Sequence, residues 1–282
     1  MQKLFNKILV PVDFSSKSKN AVEKAVEIAR QYDCSIYLLH VADLAPFALV
    51  ASGGWSSTMP FQSIDNKSEL ELKLDNLLNY IHLISADPIS VDYKILYGTW
   101  DEAIIDFVNQ NSFDLVLIGQ KRNIIGNRNM LVDPNKVAAK TNIAVITVPD
   151  NRRLTRLYSI VIPITDFLPV RKLMYGVYIA SVFETTIKLL GIENKKTKDK
   201  VQYYIEKAYR LITDNCSVKV EPEIIVSQNV AEAVNQFAMM KYADLVILNP
   251  GTETKMPGFF SALLGNIIQK YATPPVLTVN PV

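Results

Sequence analysis

The chain contains few of the residues that mark disulfide-rich, metal-binding or triad-based proteins. Its 282 residues include only two cysteines and two histidines. Cys34 and Cys216 form no CxxC motif, which favours a reduced cytoplasmic setting in which both thiols are packing residues. His40 and His82 lack the spacing of a metal site or of a catalytic triad, so packing or surface roles are expected for both.

Charge imbalance and long apolar runs are also missing. The net charge of +2 gives no indication of a nucleic-acid partner or of a polybasic membrane-binding surface. No apolar run approaches the roughly 20 residues that span a bilayer, and the first residues lack the apolar segment of a signal peptide. Hydrophobic residues nevertheless make up 49% of the chain, which is enough for a sizeable core. We therefore expect a cytoplasmic globular protein that contacts neither nucleic acid nor membrane.

What the sequence does contain is an internal repeat. The stretch "GTWDEAIIDFVNQNSFDLVLIG" aligns without a gap to "QNVAEAVNQFAMMKYADLVILN". Four segments recur in the same order, which makes chance agreement improbable. The pairs are residues 6–22 and 158–174, 34–43 and 185–194, 98–119 and 228–249, and 144–149 and 275–280.

Each half alternates apolar strands with amphipathic helices. The strands are continuous apolar runs, as in sheets covered by helices on both faces. Apolar residues in the first two helices recur at the spacing of one buried face, namely Ala21, Val22, Ala25 and Ala29, then Leu70, Leu74, Leu77 and Ile81. This pattern predicts an α/β protein with two tandem doubly wound parallel sheets, in domains 1–150 and 156–282.

Two local patterns predict where helices begin. Thr99 with Glu102 and Asn229 with Glu232 have the spacing of a capping box, in which side chains bond the free N–H groups at the helix start. Asp133 before a proline is a strong start signal of another kind, with the Asp as N-cap. The second half has no counterpart of residues 44–66, a long loop that covers the cleft, packs on the chain or binds a partner.

The stretches "KILVPVDFSSKSKNAVEKAVEIARQYDCSIYLLHV", "FDLVLIG" and "NIAVITVP" resemble the universal stress proteins. Both halves share the resemblance, so the chain is similar to tandem members of that family. The resemblance implies the adenine nucleotide alpha hydrolase-like fold, with five strands per half in the order 3-2-1-4-5. It also implies that the last strands, Ala144–Val148 and Pro275–Val279, pair antiparallel. The implied role is survival under stress, without an established reaction.

The resemblance also implies a place for a nucleotide. Members that bind ATP carry G-x2-G-x9-G-[S/T] after the fourth strand, where glycine backbone and a helix N-terminus hold phosphate. An Asp after the first strand and backbone after the second meet the adenine. In the first half Asp13, Val41 and Gly119 match these positions. Arg122 replaces the second glycine, and Val132 and Asp133 replace the final glycine and hydroxyl residue.

The loop after Gly119 leaves two interpretations open. Its basic side chains either bind an anion, such as phosphate or an AMP-like ligand, or form a solvated loop, which we favour. They are Lys121, Arg122, Arg128 and Lys136. The candidate ligand-binding residues of the first half are Asp13, Val41, Gly119, Arg122, Gly126, Arg128 and Asp133.

The second half departs further from the nucleotide motif. Asn249, Thr252 and Ala262 stand at the three glycine positions, and Thr165 stands at the position of Asp13. We therefore predict that both halves are degenerate in this motif.

The whole sequence predicts a non-catalytic binding or regulatory module rather than an enzyme, without metal or resident cofactor. The alternative is a sensor of AMP, ATP or another small anion in the first-half cleft. A weaker third reading is a slow nucleotide hydrolase, for which no nucleophile and base can be named. The partner is an unidentified protein or small ligand. A monomer with an internal pseudo-dimer and a homodimer both remain open.

Overall fold

The computed structural model describes residues 3–42, 67–120, 132–149, 154, 156–250 and 274–281. The first half consists of β1 (Lys7–Pro11), α1 (Ser16–Tyr32), β2 (Ser35–Ala42), α2 (Lys67–Ile84), β3 (Val91–Tyr97), α3 (Trp100–Gln110), β4 (Leu115–Gln120), α4 (Pro134–Thr141) and β5 (Ala144–Pro149). The second half consists of β6 (Ser159–Ile164), α5 (Val170–Phe183), β7 (Thr186–Glu193), α6 (Lys198–Thr213), β8 (Val220–Val226), α7 (Val230–Met240), β9 (Leu245–Leu248) and β10 (Val276–Thr278). This confirms the predicted alternation. The loop 44–66 and the helix expected before β10 lie outside the described residues.

All these strands belong to one sheet with the order β3-β2-β1-β4-β5-β10-β9-β6-β7-β8. Each half therefore has the predicted order 3-2-1-4-5. The halves join where β10 pairs antiparallel with β5, with Leu277 opposite Ile146 at the centre. The other described strand pairs are parallel. The predicted antiparallel joint is confirmed.

The two faces of the sheet are packed differently. On one face, buried residues of α1, α2, α5 and α6 form a single apolar cluster that runs through both halves. On the other face, α3 and α4 cover one cluster and α7 covers a separate one. The halves therefore share a core on one side of the sheet only.

Aromatic rings fill the shared core where the halves meet. Phe5 stacks on Tyr175 with ring centroids 5.9 Å apart, and Tyr32 stacks on Tyr178 at 5.2 Å. Phe5 also meets Tyr32 edge-on at 5.3 Å. Such pairs add about 0.5–1.5 kcal/mol each beyond the area they bury. The cluster gives the joint a packing contribution that the strand pairing alone does not supply.

The segment that connects the halves is fastened to α1. Glu27 accepts a hydrogen bond from the backbone N–H of Leu154 at 2.7 Å and also pairs with Lys24 at 2.7 Å. Leu154 itself is buried. The polar stretch at residues 150–156 thus contains one apolar residue that joins the shared core.

The recurrence of Asp114 as Asp244 has a structural reason. Each aspartate precedes a central strand, and its carboxylate accepts two backbone N–H groups at the start of the neighbouring strand. Asp114 bonds Asn6 and Lys7, both at 3.0 Å, and Asp244 bonds Tyr158 and Ser159 at 2.8 and 3.1 Å. The repeated aspartate therefore satisfies the amides that begin β1 and β6, where ladder partners are missing.

The capping predictions have different outcomes. Asn229 accepts the N–H of Glu232 at 3.2 Å, so its role as N-cap of α7 is confirmed. Thr99 is the N-cap residue of α3 as predicted, but the predicted capping bond is wrong, because its side chain makes no hydrogen bond to the backbone. Its hydroxyl instead donates to the carboxylate of Glu102 at 2.6 Å. The Thr99 and Glu102 side chains thus bond each other, and the Thr99 side chain forms no capping bond.

Candidate functional site

The first-half site lies at the carboxyl edge of the sheet, between β1 and β4. There the order of the strands reverses, because β2 and β3 lie on one side of β1 and β4 lies on the other. β1 and β4 pair only at two positions, Ile8 with Leu115 and Leu9 with Val116. Beyond them no ladder joins the two strand ends, which leaves the crevice where open α/β sheets bind ligands. The counterpart in the second half is the crevice between β6 and β9, where pairing is equally short.

Asp13 follows β1 at this crevice and is held by its own turn. Its carboxylate accepts the backbone N–H of Ser15 at 3.0 Å and the Ser15 hydroxyl at 2.6 Å. Partial burial acts to raise the pKa of Asp13, but hydrogen bonds from Ser15 and Ser18 outweigh it and hold the pKa below its ordinary value. Asp13 is exposed, so the structure presents an ionised acceptor at the predicted position.

Val41 and Gly119 lie inside strands and not after them, which corrects the predicted strand ends. β2 continues to Ala42, with Val41 opposite Leu96 of β3. β4 continues to Gln120, with Gly119 opposite Val148 of β5. Because the Val41 side chain is buried in the core against α3 and α4, only its backbone is left for a ligand.

Gly119, the one matching glycine of the motif, has a packing role. A Cβ atom at this position would lie 2.2 Å from the carbonyl oxygen of Lys17 in the first turn of α1. Backbone cannot yield as a flexible side chain does, so only glycine fits between α1 and β4. Gly119 is thus required by the fold whether or not a phosphate is bound.

The start of α4, where an anion would bind, is occupied by two carboxylates. Asp133 is the N-cap of α4 and accepts the N–H groups of Asn135 at 2.9 Å and Lys136 at 3.3 Å, which confirms the prediction. Asp101, from the first turn of α3, accepts the N–H of Asp133 itself at 3.0 Å. The free amides that would meet a phosphate are therefore bonded to acidic side chains.

One of the four basic side chains predicted for the loop pairs with one of these two acids, Asp101. The ammonium group of Lys136 lies 3.3 Å from the carboxylate of Asp101. Lys136 therefore offsets a neighbouring negative charge. Lys121, Arg122, Gly126 and Arg128 lie outside the described residues, so their ligand-binding roles stay predictions.

His40, beside Val41, is buried between two aromatic rings. Its Nδ1 lies 2.7 Å from the carbonyl oxygen of Val12. Since a carbonyl only accepts, Nδ1 carries the hydrogen of this bond. Nε2 is buried and has no hydrogen-bond partner in the part of the chain that the structure describes. Its ring centroid is 4.8 Å from that of Phe14 and 5.5 Å from that of Trp100.

Phe14 reaches His40 from a strained backbone. Its φ is 61°, in the left-handed region that bulky side chains rarely adopt. Such a conformation costs on the order of 1–3 kcal/mol and persists only where surrounding structure imposes it. The turn that fixes Asp13 therefore also forces the Phe14 ring towards the end of β2.

The second-half crevice is filled by its own side chains. Lys172 of α5 is 1% exposed, and its ammonium group donates to the carbonyl oxygen of Pro163 at the end of β6, 2.7 Å away. Asn249, at the first glycine position, is buried and donates to the carbonyl oxygen of Val279 at 2.6 Å. Thr252 and Ala262 lie outside the described residues.

Three of these features were missed at the level of sequence. The contact between Asp101 and Asp133 joins residues far apart in sequence, and no local pattern signals it. Lys172 has the sequence appearance of a surface lysine in a helix. His40 was expected to pack or lie on the surface, and its burial fits packing, but the unpartnered nitrogen has no sequence signal. Of the two other residues expected to pack, Cys34 is buried and Cys216 partly buried, both as free thiols.

Two kinds of site are missing from the described residues. No group of three or more His, Cys, Asp or Glu side chains there is arranged to hold a metal ion. Within the same ranges, no helix combines the length and apolar character needed to cross a membrane.

The described sheet and its two crevices define an α/β protein of the adenine nucleotide alpha hydrolase-like class. The model of the universal stress protein family matches residues 4–149, just over half of the 282 residues. The chain belongs to the universal stress protein family.

Individual relatives agree with this assignment. A universal stress protein of Methanocaldococcus jannaschii is 24% identical over 119 residues, which cover 42% of this chain and 66% of the relative, just under two thirds of its length. The crystal structure of a universal stress protein from Archaeoglobus fulgidus superposes with a TM-score of 0.66 at 16% identity over 98% of both chains. A protein of unknown function from Pseudomonas aeruginosa gives 0.59 at 14% identity, over 98% of this chain and 93% of its own. At such identities the two structures establish the fold alone.

Proposed function

We propose that the chain is a tandem universal stress protein, with domains 1–150 and 156–282, that acts as a non-catalytic binding or regulatory module in a stress response. The family model supports the first domain. The second domain is supported by the strand order of β6–β10, which repeats that of β1–β5. A full-length likeness to a universal stress protein from Archaeoglobus fulgidus supports the same division.

The observation that carries this proposal is the pair of carboxylates at the start of α4. An anion at a helix N-terminus gains about 0.3–1 kcal/mol from the helix dipole. A like charge about 4 Å away costs about 1 kcal/mol in water and about 4 kcal/mol near a protein surface. Asp133 and Asp101 both accept backbone N–H groups at this helix start. Lys136 offsets Asp101, but the charge of Asp133 still outweighs the dipole. We infer that this site does not bind a nucleotide triphosphate as the nucleotide-binding members of the family do.

A catalytic role is not part of the proposal, because the described crevice offers no nucleophile next to a free base. The Ser15 hydroxyl donates to Asp13. The Nδ1 of His40 is engaged by Val12, and its ring neighbours Phe14 and Trp100 are not nucleophiles. General base catalysis needs a base within hydrogen-bond reach of the group it activates.

The alternative function is a sensor of AMP, ATP or another small anion in the same crevice. One observation favours it: Asp13 is exposed, ionised and fixed by Ser15 at the position where the family meets adenine. The alternative relies on Arg122 and Arg128 to outweigh the carboxylates of Asp101 and Asp133.

Two measurements decide between these functions. Protein purified without added nucleotide is denatured and its small molecules are identified by mass spectrometry, and the native protein is titrated with ATP and AMP by calorimetry. The proposal expects no stoichiometric nucleotide and no saturable heat with either compound. A nucleotide bound in stoichiometric amount would establish the sensor and refute the proposed binding module. The same conclusion would follow if ATP bound more tightly than AMP.

A further inference from the structure

The region between α1 and α2, on the outside of the shared-core face, is closed by polar side chains of the chain itself. The Tyr80 hydroxyl of α2 donates to the carboxylate of Glu23 in α1 at 2.7 Å. The ammonium group of Lys19 lies 4.3 Å from the centre of the same tyrosine ring. The region between these two helices is therefore occupied by polar contacts within the chain.

The corresponding region between α5 and α6 is apolar and exposed. α1 and α5 both end at a left-handed cap, which aligns the two helices from their C-termini. In this alignment Val170 and Met174 take the positions of Lys19 and Glu23. The buried residues of α2 and α6 recur at the same spacing, so Leu211 takes the position of the tyrosine. These three second-half residues are 43–55% exposed.

The outward side of α5 continues this apolar surface. α5 contains no charged residue after Lys172. Residues four, seven and eleven positions after Val170 lie on the same side of the helix. Together with Leu211 they form a surface here called the α5–α6 groove, which consists of Val170, Met174, Val177, Ser181 and Leu211. A contiguous apolar surface rimmed by polar residues marks an interaction site.

The rim of the α5–α6 groove is basic. Lys207 and Lys200 precede Leu211 by four and eleven residues, so they lie on the same side of α6. Both are exposed, and within the described ranges neither forms an ion pair with a carboxylate. α6 as a whole carries four basic and two acidic residues. The groove therefore fits an apolar helix surface that carries negative charge.

Such a surface lies on α2 of the same chain, and it is here called the α2 ridge. Its members recur at the spacing of one outward side and are Glu69, Leu72, Asn76, Asn79 and Leu83. Leu72 and Leu83 are 60% and 81% exposed. They are eleven residues apart, as are Val170 and Ser181 of the groove, and both spans measure about 16 Å. α2 carries three acidic and two basic residues, so its charge is opposite to that of α6.

The fold places the α2 ridge and the α5–α6 groove where a second copy of the chain can join them twice. Both lie on the shared-core face, with α2 beside β3 at one edge of the sheet and α6 beside β7 and β8 at the other. A twofold axis that runs along the strands, between two such faces, brings each ridge to the groove of the other copy. An arrangement of this kind is closed and makes the same contact twice, which doubles the buried surface.

We propose that two copies of this chain associate through their shared-core faces, with the α2 ridge of each copy seated in the α5–α6 groove of the other. This mode is the packing of an amphipathic helix into an apolar groove. The strands of the two halves are antiparallel at the joint, so α2 runs opposite to the partner's α5 and α6. Glu69 then lies towards the partner's Lys207. The inference goes beyond the proposed function and does not depend on it.

Sedimentation velocity of the full-length protein over a range of concentrations tests the association. We expect a dimer that dissociates on dilution. Leu72→Asp and Met174→Asp should each abolish it, because a carboxylate would be buried in an apolar contact without a partner. Met240→Asp is the matched control, since Met240 is 68% exposed on α7, which packs on the other face of the sheet. Thermal unfolding checks that each variant folds.

A charge exchange tests the orientation of the two copies. Glu69→Lys and Lys207→Glu should each weaken the dimer about fivefold, since each removes an attraction between exposed charges and introduces a repulsion. The double variant restores opposite charges across the contact, and we expect its dimer to recover the original affinity.

Four results would overturn the proposal. The first is a monomer at the highest soluble concentration, and the second is a dimer that persists in Met174→Asp. The third is a dimer lost in Met174→Asp but retained in Leu72→Asp, which would place the groove against a surface other than the α2 ridge. The fourth is a double charge variant that associates no better than the single variants.

Discussion

The two halves of the sheet share one topology, but different side chains lie at the equivalent crevice of each half. In the second half, the side chains of Lys172 and Asn249 are buried at the crevice and donate to the backbone carbonyls of Pro163 and Val279. In the first half, carboxylates of Asp101 and Asp133 cover the helix start, while the neighbouring acceptors remain. The two halves thus place different side chains at the equivalent position of one fold, buried polar groups in the second half and carboxylates in the first.

The largest expected effect on stability tests whether Gly119 is needed for packing or for ligand binding. Gly119→Ala places a methyl group 2.2 Å from the Lys17 carbonyl oxygen, and we expect a loss of about 3 kcal/mol of unfolding free energy. Gly191→Ala meets only side-chain atoms at 3.0–3.1 Å and should cost about 1 kcal/mol. Urea denaturation measures both. Equal stabilities would remove the packing explanation for Gly119.

The next effect concerns the side chain that fills the second-half crevice. Lys172→Ala removes the buried methylene groups of the side chain and the donor to the Pro163 carbonyl. We expect a loss of about 2–3 kcal/mol, measured by thermal unfolding. Lys140 of α4 is exposed, so Lys140→Ala is the control and should leave the stability nearly unchanged. An unchanged melting temperature for Lys172→Ala would show that the second-half crevice is not packed by this lysine.

Variants of Asp133 separate its role as a helix cap from the effect of its charge at the start of α4, with a smaller expected change in stability. Asp133→Ala removes the acceptor for Asn135 and Lys136 and should cost about 1 kcal/mol, whereas Asp133→Ser keeps a cap and costs a few tenths. Combined with Asp101→Asn, the serine variant removes both carboxylates. Calorimetry with inorganic phosphate then tests the charge argument. Phosphate binding no stronger than in the unchanged protein would contradict it.

The smallest effect lies in the aromatic cluster between the halves. The Tyr32 hydroxyl is buried without a hydrogen-bond partner among the described residues, so Tyr32→Phe should be neutral or stabilising by up to about 1 kcal/mol at neutral pH. Tyr178→Phe, in the same cluster, is the comparison. A loss of more than about 1 kcal/mol in Tyr32→Phe would indicate a partner for the hydroxyl.

The same variant has a pH signature. Burial, followed by the nearby Tyr178 and Cys34, raises the pKa of Tyr32 in the folded state. The unfolded chain releases this proton at about pH 10 and the folded chain retains it, so stability is present below pH 10 and falls as the pH rises above it. Tyr32→Phe should make this alkaline slope shallower, by up to about 1.4 kcal/mol per pH unit. Denaturation at several alkaline pH values measures it, and an unchanged slope would assign the titration elsewhere.

Most of the fold could be predicted because its determinants are local or repeated. Continuous apolar runs define buried strands, and the repeat defines their order twice. The cap at Asp133 was also predictable, since Asp followed by Pro is a signal within adjacent residues. The N-cap position of Thr99 was predictable as well, but the bond between its hydroxyl and Glu102 in place of a capping bond was not.

The site was harder to predict because its contacts cross between elements. Asp101 reaches Asp133 from another helix, and the burial of Lys172 depends on a carbonyl that is free only because β6 and β9 separate. A glycine in a motif position was taken as a functional match, yet its reason is the closeness of α1. These determinants are contacts between elements, and they become visible only in the structure.

The antiparallel joint between β5 and β10 has a consequence for how the molecule is made. Synthesis on the ribosome completes β5, at residues 144–149, long before β10, at residues 276–278, has emerged. Until then β5 is an open edge that offers unpaired backbone groups to other chains. The seam of the sheet is therefore the last part of it to close, and a chain cut short before residue 276 carries that open edge permanently.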